Sequence, residues 1–159
     1  FLQADCENTG FPDNSIDVLI CSGMLHHLDL SYAFPEIRRI MKPGGVCLCI
    51  EALNYNPAIR LYRYLTKTLR TDFERRHILT LKDVTFAERF FTLRSIRYWH
   101  LCSIMSVPFR KTRWFTALLK LADSMDSVLL RVYPVSLMAW MFTFELVKPP
   151  PDPSPLSGP

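Results

Sequence analysis

Several side chains in the first third of this chain have types and spacings suited to work on a ligand. His26 and His27 follow an apolar run and a short Ser22-Gly23-Met24-Leu25 stretch. An imidazole titrates near neutral pH and can take a proton from a reacting group. Gly23 permits close backbone approach, and the Ser22 hydroxyl can bond an amino or carboxylate group. Glu51, Asn54 and Tyr55 leave the next apolar run and could line a pocket beside the histidines. Glu51 is equally suited to capping or to pairing with a cation such as Arg60. Cys47 and Cys49 have one residue between them, whereas a zinc pair wants two to four and a second pair elsewhere, so no metal is expected.

These residues need elements to hold them. Residues 16–21 (IDVLIC) form a short run that is apolar but for Asp17 at its start, the pattern of a strand in a sheet covered on both faces. Apolar positions Ala33, Ile37, Ile40 and Met41 recur at helical spacing over 30–41, with Asp29 or Ser31 as the cap. Lys42-Pro43-Gly44-Gly45 stops that helix, and 46–50 (VCLCI) is the next strand. Strand, helix and strand make a βαβ unit, which closes into a parallel sheet.

The remainder reads as helices over 56–69, 80–91 and 114–132 and strands over 92–101 and 136–147, with a proline-containing loop at 106–113. Thr80 and Asp83 have the spacing of a capping box. In 114–132, Leu118, Leu121, Met125 and Leu129 are expected to share a face. The tail at 149–159 (PPPDPSPLSGP) cannot build a core and is expected to be disordered or extended.

With 49% hydrophobic and 21% charged residues, a packed core is expected and wholesale disorder is excluded. The net charge is +4 and the cations are dispersed, in local groups at 60–63, 70–76 and 110–113, so nucleic-acid binding is not expected. Five cysteines, an odd count mostly in apolar runs, read as buried free thiols in a reducing, cytoplasmic compartment. No apolar run approaches the roughly 18 residues of a spanning helix. Phe109, Trp114, Phe115, Leu118 and Leu119 beside Arg110, Lys111 and Arg113 would suit peripheral contact with a membrane.

The run QADCENTGFPDNSIDVLICSGMLHHL, then EIRRIMKPGG, then a strand ending in Glu51, resembles the class I S-adenosylmethionine-dependent methyltransferases, of the methyltransferase type 11 kind. The elements stand in order and at normal spacing. The resemblance continues more loosely to a subgroup with a helical insertion, although 70–77 (RTDFERRH) departs from its acidic pattern.

The resemblance implies an α/β fold: the C-terminal strands of an incomplete Rossmann-like sheet, filling 1–148, with helical lid insertions near 56–91 and 106–134. It implies S-adenosyl-L-methionine as cofactor, held at the carboxyl ends of the strands. Asp5 would accept from the adenine amino group, which suits an acceptor-only carboxylate, and the Cys6 N–H would meet a ring nitrogen. Ser22, Gly23 and His27 would lie beside the methionine portion, while Asp17 would bond locally to backbone. His26, His27 and Glu51 are the candidates for a catalytic role. The glycine-rich loop and the ribose-binding acid are expected upstream of Phe1, so the isolated chain is expected to expose an edge strand and to be inactive.

Three function classes fit: a methyltransferase for a small-molecule or lipid-like acceptor, a non-catalytic relative serving as a binding module or scaffold, and a protein or nucleic-acid methyltransferase. The third commonly carries an Asn/Asp-Pro-Pro-Tyr/Phe tetrapeptide where this chain has Ser22-Gly23-Met24-Leu25.

Overall fold

The structure, a computed structural model, describes residues 2–65 and 78–150. Four strands form one sheet in the order β1-β2-β4-β3. They are β1 (Ile16–Ser22), β2 (Met41–Ala52), β3 (Thr92–Trp99) and β4 (Met141–Val147). β1 and β2 are parallel, joined through helix α1 (Leu30–Ile40), as the βαβ pattern requires. β4 runs antiparallel to both β2 and β3, so it is the one reversed strand of the sheet.

Asp29 caps α1, its Oδ1 accepting from the Ser31 N–H at 2.9 Å. The Pro-Gly-Gly segment does more than end this helix. It is absorbed into β2 as a bulge, with Ile16 opposite Met41 but Val18 opposite Val46. The two glycines are needed for different reasons. Gly44 has φ +77°, a conformation that L side chains rarely adopt. A Cβ on Gly45 would stand 2.8 Å from the Lys42 carbonyl oxygen and 3.1 Å from that of Asp17.

One face of the sheet carries the core. Cys21, Cys47, Cys49, Phe142, Phe144 and Leu146 are buried there against Phe34 and Ile37 of α1, Val84 and Ala87 of α3 (Leu81–Ala87), and Phe91. The opposite face is open on β1: Val18 is 63% exposed and Ile20 62%. The apolar run Val18–Cys21 of β1 predicts cover on both faces, but among the described residues only one is covered. β1 also lies at the edge of the sheet, as the resemblance implies.

The other helices are shorter than their patterns suggest. α2 covers Pro57–Leu65, with Asn56 Oδ1 accepting from Ala58 N–H at 2.9 Å; positions 66–69 lie outside the described residues. Ile59 is buried, but Leu65 is exposed, against its expected place on the inner face. The predicted capping box is present at α3. α4 runs Phe115–Leu129, preceded by a 3-10 helix over Ser103–Phe109 where a loop is expected. A second 3-10 helix, Val135–Met138, occupies the start of the stretch expected to be all strand. Of the predicted tail, 151–159 lies outside the described residues.

Candidate active site

The centre of the site is Glu51, a fully buried carboxylate near the end of β2. Its Oε1 accepts the backbone N–H of Met24 at 2.9 Å and of Leu25 at 2.8 Å. Its Oε2 lies 2.8 Å from His26 Nδ1. A carboxylate only accepts hydrogen bonds, so this Nδ1 carries the proton and Nε2 of the neutral ring keeps its lone pair. Glu51 thus fixes the loop after β1 and the tautomer of His26 together. The alternative pairing with Arg60 is not made. His26 remains 21% exposed at the mouth of the site, its ring 4.1 Å from that of His27, centroid to centroid.

The same loop begins at the tip of β1. Gly23, with φ +60°, donates its N–H to the Ile50 carbonyl at 2.8 Å, which carries the β1–β2 ladder one step past the strand. A Cβ there would meet nothing within 4 Å, so the backbone borders open space. Ser22 is exposed, and its hydroxyl makes no hydrogen bond among the described residues. This is a polar rim at the carboxyl ends of parallel strands, where open α/β sheets hold their ligands.

Asp5 sits in a tight turn and is exposed. Its Oδ1 accepts the Glu7 N–H at 2.9 Å, leaving Oδ2 without a partner among the described residues. Side chains at 7 and 9 fasten this turn to α1. Glu7 Oε1 accepts the Asp29 N–H at 2.8 Å, and Glu36 Oε1 accepts both the N–H and the hydroxyl of Thr9, at 2.8 Å and 2.6 Å. The Arg39 guanidinium bonded to Glu36, with Thr9 adding to it, holds that carboxyl down at about 2, although burial opposes the shift. Cys6 is half-buried close to Cys21; burial pushes its thiol up, and the charge of neighbouring groups adds to this.

Asp17 departs from its expected local role: its Oδ2 meets Lys42 Nζ at 2.7 Å across the strand pair, in the open. Tyr55 leaves β2 to accept the Leu81 N–H on its hydroxyl at 3.2 Å, so it caps α3. Asn54 reaches a cavity of 520 Å³ that it shares with Leu25, Leu28, Asp29, Ile78 and Phe86. The cavity wall is divided evenly between apolar side chains and the polar Asp29, Ser31, Asn54, Thr80 and Asp83.

Cys21 joins Cys47 and Cys49 in a buried cluster that spacing along one strand does not reveal. Sγ of Cys47 is 3.8 Å from that of Cys21 and 3.6 Å from that of Cys49. Hydrogen bonding to Cys21 and burial push the Cys47 and Cys49 thiols above the ordinary range, so both stay protonated. The Cys47 and Cys49 thiols fill core space as small apolar groups, while their hydrogen bonds to Cys21 pull that thiol down. The signals that sequence reading missed here, namely Cys21, Glu7 and Glu36, act on partners 22 to 27 residues away.

Comparison with known proteins matches residues 1–49 to the Methyltransferase domain family. That segment carries the 5–9 turn, β1, the histidine loop, α1 and most of β2. Over this segment the chain is similar to the class I methyltransferases. The ubiquinone/menaquinone biosynthesis C-methyltransferase UbiE of Hahella chejuensis is 42% identical over 52 residues, 32% of this chain and 21% of that protein. In fold, the chain is similar to an S-adenosylmethionine-dependent methyltransferase from Archaeoglobus fulgidus, with TM-score 0.58 and 11% identity over 92% of this chain and 66% of the other. It is also similar to geranyl diphosphate C-methyltransferase from Streptomyces coelicolor, solved with S-adenosyl-L-homocysteine, with TM-score 0.57 and 13% identity over 92% of this chain and 52% of the other. The chain therefore spans well under two thirds of the curated relative and about half of the Streptomyces enzyme. Its strand order, with a single reversed strand, is the α/β sheet that the resemblance implies.

Proposed function

We propose that this chain contributes the carboxyl-end half of an S-adenosyl-L-methionine site and takes part in methyl transfer to a small-molecule or lipid-like acceptor. The observation that carries this reading is convergence. The family-matched segment carries the Asp5 turn, the Ser22-Gly23 tip and His26, and Glu51, just past it on β2, meets His26 at the carboxyl ends of β1 and β2. The donor set suits the cofactor. Asp5 Oδ2 is an acceptor for an adenine amino group, the Cys6 N–H suits a ring nitrogen, and Ser22, Gly23 and His27 border the methionine end.

When bound, the cofactor supplies a methyl group on a positively charged sulfur, already activated for in-line displacement. The residues of this chain then have three tasks. The loop at 22–27, fastened by Glu51, fixes the geometry of approach. The cavity beside Leu25 and Phe86 excludes water from an apolar acceptor. His26 Nε2 takes a proton from an acceptor that must lose one, while Glu51 stabilises the resulting imidazolium through Nδ1. Here Glu51 is a positioning residue, and His27 is assigned to the cofactor side.

A small-molecule or lipid-like acceptor is supported by a cavity whose wall carries both apolar and polar side chains and by proteins of similar sequence or fold named for a quinone and for geranyl diphosphate. A reducing, cytoplasmic setting is supported by five free cysteines, three of them in mutual contact. Among the described residues no helix is long and apolar enough to cross a membrane.

The decisive measurement is equilibrium binding of S-adenosyl-L-methionine to the full-length protein by calorimetry. Binding weakened about tenfold by Asp5→Ala, the loss of one charge-assisted hydrogen bond, is expected. Absence of binding in the folded wild-type protein sinks the reading.

A further inference from the structure

Helix α4 inverts the usual construction of a surface helix. Nine of its fifteen residues are apolar, yet its one buried side chain is Asp126. That carboxylate accepts the backbone N–H of Leu101, Cys102 and Ser103, at 3.1, 2.6 and 3.1 Å, and the Ser103 hydroxyl at 2.7 Å. Burial works to raise its pKa, but the hydrogen bonds from Cys102 and Ser103 outweigh it and hold it below the ordinary value. The helix is therefore pinned by a polar clamp on its inner side, and its apolar side chains are left outside.

The outward residues form an ordered stripe. Leu118, Leu121, Met125 and Val128 fall at i, i+3, i+7 and i+10 and are 37%, 62%, 47% and 64% exposed. Met105, 72% exposed, and Phe109, 47% exposed, lie across a groove of 450 Å³ from them. Trp114, 60% exposed, stands at the start of the helix with the Arg113 guanidinium 4.9 Å from its ring centroid. A contiguous apolar surface of this kind marks an interaction site.

Charge decides the partner. Between Glu88 and Asp123 the chain has seven lysines and arginines and no carboxylate. Arg110, Lys111, Arg113 and Lys120 are all exposed around the first half of the stripe, and Asp123 is the exposed carboxylate on α4. Apolar side chains ringed by cations, with an aromatic at the boundary, match the layers of an anionic bilayer: acyl chains below, phosphate and carboxylate headgroups above.

We propose that the 3-10 helix Ser103–Phe109 and α4 form a docking unit for an anionic membrane surface, with Leu121 and Met125 entering the acyl layer and Arg110, Lys111 and Arg113 engaging headgroups. This rests on residues 103–129 and not on the cofactor site. Its failure would leave S-adenosyl-L-methionine binding unchanged, and the converse also holds.

The test is co-sedimentation of the full-length protein with vesicles of phosphatidylcholine alone and of phosphatidylcholine and phosphatidylserine at roughly three to one. The wild-type protein should bind the anionic vesicles and largely ignore the neutral ones. Leu121→Gln with Met125→Gln should weaken binding about tenfold or more, from the lost apolar burial. Lys111→Gln and Arg113→Gln should each weaken it about fivefold, an effect that fades as salt rises. Because these positions are exposed, circular dichroism should show the variants folded. Trp114 emission should shift to the blue on anionic vesicles in the wild-type protein and not in Trp114→Phe. Three results would overturn the proposal: no binding by the wild-type protein, equal binding by the Leu121 and Met125 variant, or binding that RNA reproduces without dependence on those two side chains. A change of association state without vesicle binding would assign the stripe to a second copy and overturn it as well.

Discussion

The Glu51 carboxylate gathers two backbone N–H groups and an imidazole in a place where water does not reach. Replacing it with alanine strands all three donors, each worth about 1–3 kcal/mol when buried without a partner. Glu51→Ala should therefore lower stability by at least about 3 kcal/mol in denaturant unfolding, while Glu51→Gln, which keeps one acceptor oxygen, should cost less. An equal loss in the two variants would mean that the carboxylate is not the hub. His26→Ala should cut kcat by about a hundredfold for an acceptor that loses a proton, and leave cofactor affinity near the wild-type value. If affinity falls with kcat, the ring serves the cofactor instead. Glu36 sets a pH response. Its folded pKa of about 2 lies below the ordinary 4.5, so its contribution is present above about 4.5 and is lost as pH falls toward 2. Acid unfolding of Glu36→Gln should lack that part of the slope.

Residue roles were legible only where the partner is near in sequence. Asp29 at its helix cap and the Thr80–Asp83 box could be read because capping acts over two or three positions. Glu51 was singled out, but its partners were not, since they lie 25 to 27 residues upstream on another element. Asp17 was assigned to local backbone and instead meets Lys42.

At the level of elements, the bend in β2 makes a sharp forecast. Gly45→Ala drives a Cβ against two carbonyl oxygens that belong to backbone, whereas Gly44→Ala meets open space and bears only the cost of its positive φ. The second cost is about 1–2 kcal/mol, so thermal unfolding should show Gly45→Ala the more damaged. The reverse order would argue against the bulge register. In the capping box of α3, Thr80→Ala should cost about 1 kcal/mol. Boundaries shifted where backbone geometry overrode composition: Lys42-Pro-Gly-Gly reads as a stop, yet pairing with Ile16 draws it into the strand. Leu118, Leu121, Met125 and Leu129 share a face of α4 as their spacing requires, but that face is mostly open and grades into exposed Val128, because the Asp126 clamp and no burial pattern sets the rotation of the helix.

For the molecule as a whole, the sheet order predicts a gradient of protection. β2 and β4 are flanked on both sides, while β1 and β3 each have one neighbour. Hydrogen exchange should protect β2 and β4 amides most and those of β1 least, since Val18 and Ile20 also lack cover. Uniform protection across the four strands would require a partner on the open face of β1.

By itself the sequence determined the βαβ unit, its parallel closure and the methyltransferase likeness of residues 1–49, because apolar periodicity, a capped helix and a Pro-Gly-Gly bend are local signals and occur here in a fixed order. Only tertiary structure decided that β4 inserts in reverse between β2 and β3, that Glu51 closes on the histidine loop, that three cysteines meet, and that α4 turns its apolar side outward. Each of these depends on which distant groups become neighbours. Hydrophobic pattern alone does not determine this, because burial is non-directional, while hydrogen bonds between far-separated residues choose one packing among several of similar apolar area.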